Sequence, residues 1–251
     1  MGRLSKIAET AQLLGSTVLA LLFPKSCAGC GTIDRSLDRF WCDQCLGEMA
    51  FIGSPLCPVC GRPFLDAPDS SDHLCGECLE SAFHFDSARS AVLHLGIVRD
   101  RIHQLKFGGR LEWTTPLAEL LLKVYHGWDA AAPDLVLPVP LHTRRLRQRG
   151  FNQSGLLARE LAQNLGLPVS LDSLARKQWT EPQTRLNRHQ RLKNVRGAFE
   201  VRRPELVRGR RVLLVDDVFT TGETLNECAR TLKKKGAAGV YALTVTRALP
   251  D

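Results

Sequence analysis

The chain lacks a hydrophobic run long enough to cross a bilayer. Its nearest approach, Leu13–Phe23, follows Arg3 and Lys6 but falls well short of the roughly 18–20 apolar residues that a span requires. No small-residue cleavage pattern follows, because Pro24 and Lys25 precede Cys27, so a secretory signal is not the expectation. A short helix over residues 1–25, packed on the neighbouring module, is expected instead, in a cytoplasmic protein without a membrane span. Low-complexity tracts are missing, and so are internal repeats apart from paired cysteines. No Ser-His-Asp or Cys-His arrangement stands out, which removes triad hydrolysis from the expected chemistries.

What is present is an ordinary globular composition with an uneven charge. The 251 residues suffice for one domain plus a small module, and 44% hydrophobic with 24% charged residues are usual for a soluble fold. Residues 1–80 carry a net charge of −4, whereas residues 81–251 carry +12. Within Arg176–Arg211 alone, 12 basic residues face 3 acidic ones, a surface suited to polyanions such as diphosphates or nucleic acid.

Eight of the nine cysteines form C-x-x-C pairs: Cys27/Cys30, Cys42/Cys45, Cys57/Cys60 and Cys75/Cys78. That is a metal pattern of a reducing compartment and not a secreted disulfide framework. Each pair presents two thiolates, and two pairs complete a tetrahedral site, so two structural zinc ions are expected. Iron–sulfur ligation is the rival, and a catalytic zinc is disfavoured because four thiolates leave no open position. Sequential pairing closes the shortest loops, with cross-bracing as the alternative. His73 lies two residues before Cys75 and reads as a loop histidine rather than a ligand. Cys228 shares helical spacing with Leu225, Ala229 and Leu232 and reads as a small core residue.

Beyond the cysteines the periodicity changes. Ala88–Leu95 reads as a strand, Ile97–Phe107 as an amphipathic helix ended by Gly108–Gly109, and Thr115–Tyr125 as a helix capped by Thr115. Strands are expected at Leu135–Val139, Ala198–Val201, Val212–Val215 and Val240–Thr246, with helices at Asn152–Leu165 and Gly222–Lys235. Such alternation implies a parallel sheet wrapped by helices. The polar stretch of about residues 176–197 has little apolar periodicity and reads as a flexible functional loop.

The segment VLLVDDVFTTGET, Val212–Thr224, carries the chemistry most directly. Its apolar run suits a buried parallel strand, with Asp216 and Asp217 at the end from which side chains enter the crevice of an open α/β sheet. Hydroxyls of Thr220, Thr221 and Thr224 follow, and Gly222 lets backbone amides approach an anion at the next helix N-terminus. Paired acids beside such a turn suit a sugar phosphate with a metal ion. In LPVPLHTRRLRQRGFNQS, Leu137–Ser154, the residues Thr143, Arg144 and Arg145 could hold a diphosphate through hydroxyl and guanidinium donors.

Val212–Thr224 resembles the phosphoribosyl diphosphate signature of type I phosphoribosyltransferases. Leu137–Ser154, the paired cysteines and Gln183, Leu186, Arg191, Asn194 and Phe199 together resemble the ComF/GntX family from about Pro24 to the C-terminus. The resemblance implies an α/β fold: a type I phosphoribosyltransferase-like parallel sheet flanked by helices over residues 86–251, behind a double zinc-ribbon module over 26–80. It implies magnesium with the diphosphate and ribose hydroxyls on Asp216 and Asp217, directly or through metal and water. Thr220, Thr221, Gly222, Glu223 and Thr224 would wrap the 5′-phosphate. Leu137–Ser154 would stand as the pyrophosphate loop, and Arg144, Arg145 and Arg191 would stabilise charge. It further implies a role in DNA uptake and utilisation, with an unknown acceptor if the chain is an enzyme. A non-catalytic phosphoribosyl diphosphate sensor or a single-stranded DNA-binding accessory protein is the alternative, with the zinc module meeting uptake or recombination proteins. Purine-salvage members carry an acid where this chain has Thr220, which counts against hypoxanthine or guanine as the acceptor.

Overall fold

The computed structural model describes residues 26–34, 39–129, 132–179 and 195–249. The expected helix over 1–25, Arg191 and loop residues 180–194 lie outside the described residues. The chain divides into two compact units, Met1–Glu48 and Met49–Asp251.

In the first unit, Ser26 and Ile33 form an antiparallel bridge that folds the first knuckle, and a one-turn helix α1 (Asp43–Gly47) starts at the second. Trp41 is fully buried and Cys27 and Cys45 pack together.

The second unit begins with another knuckle, closed by a Leu56–Pro63 bridge, and a short helix α2 (Gly76–Glu80). Then follow β1 (Ser87–Leu93), α3 (Gly96–Gly108) and α4 (Thr114–His126). The chain continues through β2 (Leu135–Pro138), α5 (Thr143–Arg149) and α6 (Gln153–Leu165), then β3 (Leu174–Arg176) and β4 (Phe199–Val201). It closes with β5 (Arg211–Phe219), α7 (Glu223–Lys234) and β6 (Gly239–Arg247).

Four strands form a wholly parallel sheet in the order β1-β6-β5-β2. Val212–Val215 at its centre is buried, as expected of a strand covered on both faces. Val212 and Leu214 share a core with Leu225, Cys228, Ala229 and Leu232 of α7. Helices α4 and α6 pack on each other and on the sheet. The buried Leu157, Ala158 and Leu161 lie at helical spacing on α6. Among the described residues, no helix is long and apolar enough to cross a membrane.

Several local expectations change. The strand expected to stop before the acids runs through them to Phe219, because β6 continues to pair with it as far as Phe219–Arg247. Ala198–Val201 is not a strand of the parallel sheet: Phe199–Val201 pairs antiparallel with Leu174–Arg176 as a separate ribbon. Thr115 is not a cap, since α4 starts at Thr114 after a 3₁₀ turn and its cap residue is Trp113. The expected loop at Thr143–Arg149 is a helix, bounded by a His142 cap that accepts from the Arg144 amide and by Gly150. Arg176, expected to open a flexible loop, lies in β3.

Candidate functional site

The cysteines gather into two clusters: Cys27, Cys30, Cys42 and Cys45, and Cys57, Cys60, Cys75 and Cys78, with sulfurs in each lying within 4.8 Å of one another. Sequential pairing is therefore the arrangement present. Zinc–sulfur bonds of about 2.3 Å in a tetrahedron put sulfurs about 3.8 Å apart. Cys30 and Cys42 Sγ are 3.8 Å apart, and Cys60 and Cys75 Sγ 3.6 Å. In the first cluster the Gly29 and Cys42 amides donate to Cys27 Sγ at 3.3 and 3.2 Å, stabilising a thiolate. These are two Cys₄ zinc-binding sites. His73 belongs to neither; its ring stacks on Phe64 with centroids 3.8 Å apart.

In the Met49–Asp251 unit, a cavity of about 940 Å³ opens just beyond the C-terminal end of β2 and beside the C-terminal half of β5. Asp216, Asp217, Arg145, Thr220, Gly222 and Thr224 line it. Thr143, Arg144, Thr221 and Glu223 do not line it. Arg144 instead lies over Trp179, 4.9 Å from the ring centroid, and Glu223 lines a smaller adjoining recess with Asn226 and Arg230.

Helix α6 sets the acids. Its buried first-turn residue Ser154 donates to Asp216 Oδ1 at 2.6 Å, and Gln153 Nε2 donates to Asp217 Oδ1 at 3.4 Å. Gln153 is itself oriented by Arg149, which donates to its Oε1. The Asp217 amide donates to Asp216 Oδ1 at 2.9 Å. Lys106, near the end of α3, forms an ion pair with Asp217 Oδ2. Burial, and then the charge of Asp217, push the Asp216 carboxyl up to about 8. Burial would raise Asp217 too, but the Lys106 ammonium and the Gln153 amide outweigh it and hold Asp217 below the usual carboxylate range. The pair thus carries one charge more readily than two, as adjacent carboxylates must.

The remaining lining is cationic and aromatic. Arg145, Arg149 and Arg176 are each partly buried, and burial lowers the pKa of all three, so they are partly desolvated. Arg149 also lies over the exposed Phe107 ring at 5.3 Å. His94 bonds Thr246 Oγ1 at 2.8 Å, and burial, then Lys106, hold its pKa below the ordinary value. The threonine-rich turn closes on Gly222, whose φ of 78° is left-handed and whose carbonyl accepts from the Asn226 amide. Thr221 Oγ1 is enclosed there without a hydrogen-bond partner.

Sequence reasoning gave no role to Lys106, Phe107, His94, Arg149, Gln153 or Ser154, and read Arg176 only as part of a basic stretch and a loop. Gln153 and Ser154 stand inside the quoted FNQS run, and Arg149 follows Arg145 at i,i+4, so these carried a signal. His94 and Lys106 carried none, because only the tertiary fold brings them to the acids.

Comparison with known proteins follows the same division of the chain. Residues 18–79 match the double zinc ribbon domain family and residues 151–248 the phosphoribosyl transferase domain family. The DNA utilization protein YhgH of Escherichia coli K12 is 36% identical over 199 residues, covering 77% of this chain and 85% of that protein. Competence protein F of Haemophilus influenzae is 30% identical over 226 residues, covering 84% and 98%. The chain belongs to the ComF family. Another ComF relative, competence protein ComFC of Bacillus subtilis, is 28% identical over 225 residues, covering 84% of this chain and 85% of its own length. The ComF sheet here, parallel and flanked by helices, is of the type I phosphoribosyltransferase kind, behind two zinc ribbons.

Proposed function

We propose that the chain binds phosphoribosyl diphosphate with magnesium in the 940 Å³ cavity and serves DNA utilisation in the cytoplasm, as its relatives' names suggest. The observation that carries this reading is convergence on one cavity of an acid pair, a glycine-closed hydroxyl turn and three partly desolvated arginines. Asp216 and Asp217 would take the ribose hydroxyls. The Thr220–Thr224 turn would take the 5′-phosphate through Thr220, Gly222 and Thr224, which line the cavity. Arg145, with Arg149 and Arg176, would hold the diphosphate and stabilise the charge that grows on it as it leaves C1 of ribose. In this reading Arg144 supports the mouth of the site, and Arg191 retains the role of a closing-loop cation.

The acids also suit magnesium, which prefers hard carboxylate oxygens; the Lys106 ammonium against Asp217 Oδ2 marks a position that favours a cation. Bound there, magnesium would neutralise the diphosphate and make it a better leaving group. Calorimetry tests the reading: magnesium-dependent binding is expected in the wild type and loss of it in the Asp216→Asn/Asp217→Asn variant. Absence of binding in the wild type would refute it, and pyrophosphate release with a panel of acceptors separates a transferase from a sensor.

A second reading has its own observation. Trp179 is partly exposed, with the guanidiniums of Arg144 and Arg145 at 4.9 and 5.8 Å and His142 edge-on at 5.3 Å. A ring flanked by cations is a stacking platform for a base of single-stranded nucleic acid. The excess basic charge of Arg176–Arg211 favours the same ligand class.

A further inference from the structure

The second cysteine cluster is linked to the turn of the site through two buried side chains, Arg247 and Phe219. Arg247, the last residue of β6, is 4% exposed. Its Nη1 donates to the Cys60 carbonyl at 2.7 Å, and its Nη2 lies 3.6 Å from Cys60 Sγ. The other face of the guanidinium lies 4.1 Å from the centroid of Phe219, its register partner on β5. Phe219 in turn lies under the turn: a Cβ added at Gly222 would stand 2.5 Å from Phe219 Cζ. Four thiolates around a divalent zinc leave a net charge of −2, so a buried cation donating to one of the sulfurs is its natural counter-ion. Arg89 also approaches this ribbon, but its Nη1 donates to the carbonyls of Pro58 and Ala88 rather than to a sulfur.

We propose that Arg247 is a positioning residue which couples metal occupancy at Cys57, Cys60, Cys75 and Cys78 to the conformation of the Thr220–Thr224 turn. With zinc bound, the sulfur and carbonyl of Cys60 fix the guanidinium, the guanidinium fixes the Phe219 ring, and the ring sets the floor of the turn. Without zinc, Cys60 is no longer held in place by the ion, and the guanidinium that bonds its carbonyl and sulfur loses a fixed anchor. Linkage makes the effect reciprocal, so whatever orders the turn also tightens zinc at this cluster. The consequence for ligand affinity rests on the phosphoribosyl diphosphate reading; the coupling itself does not.

The test uses the full zinc-loaded chain and two readouts that need no ligand. One is the rate of zinc transfer to a chromophoric chelator, with two phases for two sites. The other is hydrogen–deuterium exchange of residues 219–226 against the strand core at 212–215. For Arg247→Met, one zinc phase should accelerate roughly 10- to 100-fold, the magnitude usual for loss of an outer partner of a ligand, while the other phase is unchanged. Exchange in 219–226 should rise with it. Arg247→Lys keeps the charge and should recover part of the zinc retention but not the turn, because it lacks a flat group to lie on Phe219. Phe219→Leu should loosen the turn and, by the same linkage, speed zinc loss at this cluster by less than Arg247→Met does, because the bonds from Arg247 to Cys60 remain. In the cobalt-substituted protein, Arg247→Met should shift the sulfur-to-cobalt charge-transfer band, which a purely structural role would leave in place.

Unchanged zinc phases in a folded Arg247→Met protein would overturn the proposal. If that variant does not fold, the wild type decides: chelation should loosen 219–226 selectively, and no loosening, or equal loosening of 212–215, overturns it. Failure of phosphoribosyl diphosphate to bind would remove the ligand reading and leave these outcomes intact.

Discussion

Replacing Gly222 by alanine should be among the most damaging single-methyl changes in the chain, and its size can be worked out. Two effects add. The left-handed backbone at φ 78° costs an alanine about 1–2 kcal/mol. The new Cβ would also stand 2.5 Å from Phe219 Cζ, where ordinary contact needs about an ångström more. Phe219 is 1% exposed and lies against Arg247 on one side and edge-on to Phe85 on another, so the ring has little freedom to retreat. Overpacking of that kind costs about 1–3 kcal/mol. The total of about 2–5 kcal/mol corresponds to a fall in melting temperature of roughly 5–15 °C for a domain of this size. Gly166→Ala is the control: it shares the left-handed conformation at φ 64° but has no atom within 4 Å of the added carbon. Thermal unfolding at fixed zinc loading should therefore separate the two variants by the steric part alone. Repeating Gly222→Ala in a Phe219→Leu background should shrink the difference, as in any cycle between contacting residues. Equal melting temperatures for Gly222→Ala and Gly166→Ala would refute the idea that the ring supports the turn.

Asp216→Asn should stabilise the ligand-free protein while abolishing ligand binding. A carboxyl raised to about 8 binds its proton more tightly folded than unfolded, so it draws stability down as pH rises from about 4 towards 8. The advantage of the asparagine in melting temperature should thus grow between pH 5 and pH 8, and a constant difference would contradict the assignment. Lys106→Met leaves Asp217 buried without its cation and should destabilise by about 3 kcal/mol, much of it recovered in the Lys106→Met/Asp217→Asn double variant; strictly additive losses would disprove the pairing. Metal analysis should return two zinc ions per chain, and a value near one would refute two Cys₄ sites. Trp179→Ala should weaken single-stranded DNA binding roughly 10-fold or more if one base stacks there, leaving the salt dependence unchanged; unaltered affinity rules out the platform.

The architecture was legible where one local pattern decides it. The apolar run Val212–Val215, the glycine-ended helices and the spacing of Leu157 and Leu161 all correspond to observed elements, because burial on both faces or on one stripe leaves a period in the sequence. Boundaries set by neighbours were not legible. Strand β5 passes through Asp216 and Asp217 only because β6 offers partners up to Arg247, and nothing in β5 itself shows that. The Phe199–Val201 ribbon failed for the same reason: a three-residue strand carries no period, and its partner Leu174–Arg176 is 23 or more residues away in the pairing of Arg176 with Phe199.

The site divides along the same line. The acids and the hydroxyl turn occupy one short segment, so their chemistry could be read together. The arginines were half legible: treated as a loop, Thr143–Arg149 makes Arg144 and Arg145 equivalent, whereas a helix places Arg145 and Arg149 on one face and turns Arg144 elsewhere. Lys106 explains why the acids tolerate one another. Two adjacent carboxylates in a partly enclosed crevice cannot both stay ionised unaided, and the fold answers with a lysine from α3, a serine and a glutamine from α6, and a raised pKa on Asp216. Those partners come from more than 60 residues upstream and leave no trace beside the acids. What a local motif can show is the group that meets the ligand; what holds that group ready is supplied by distant segments and appears only when they are folded against it.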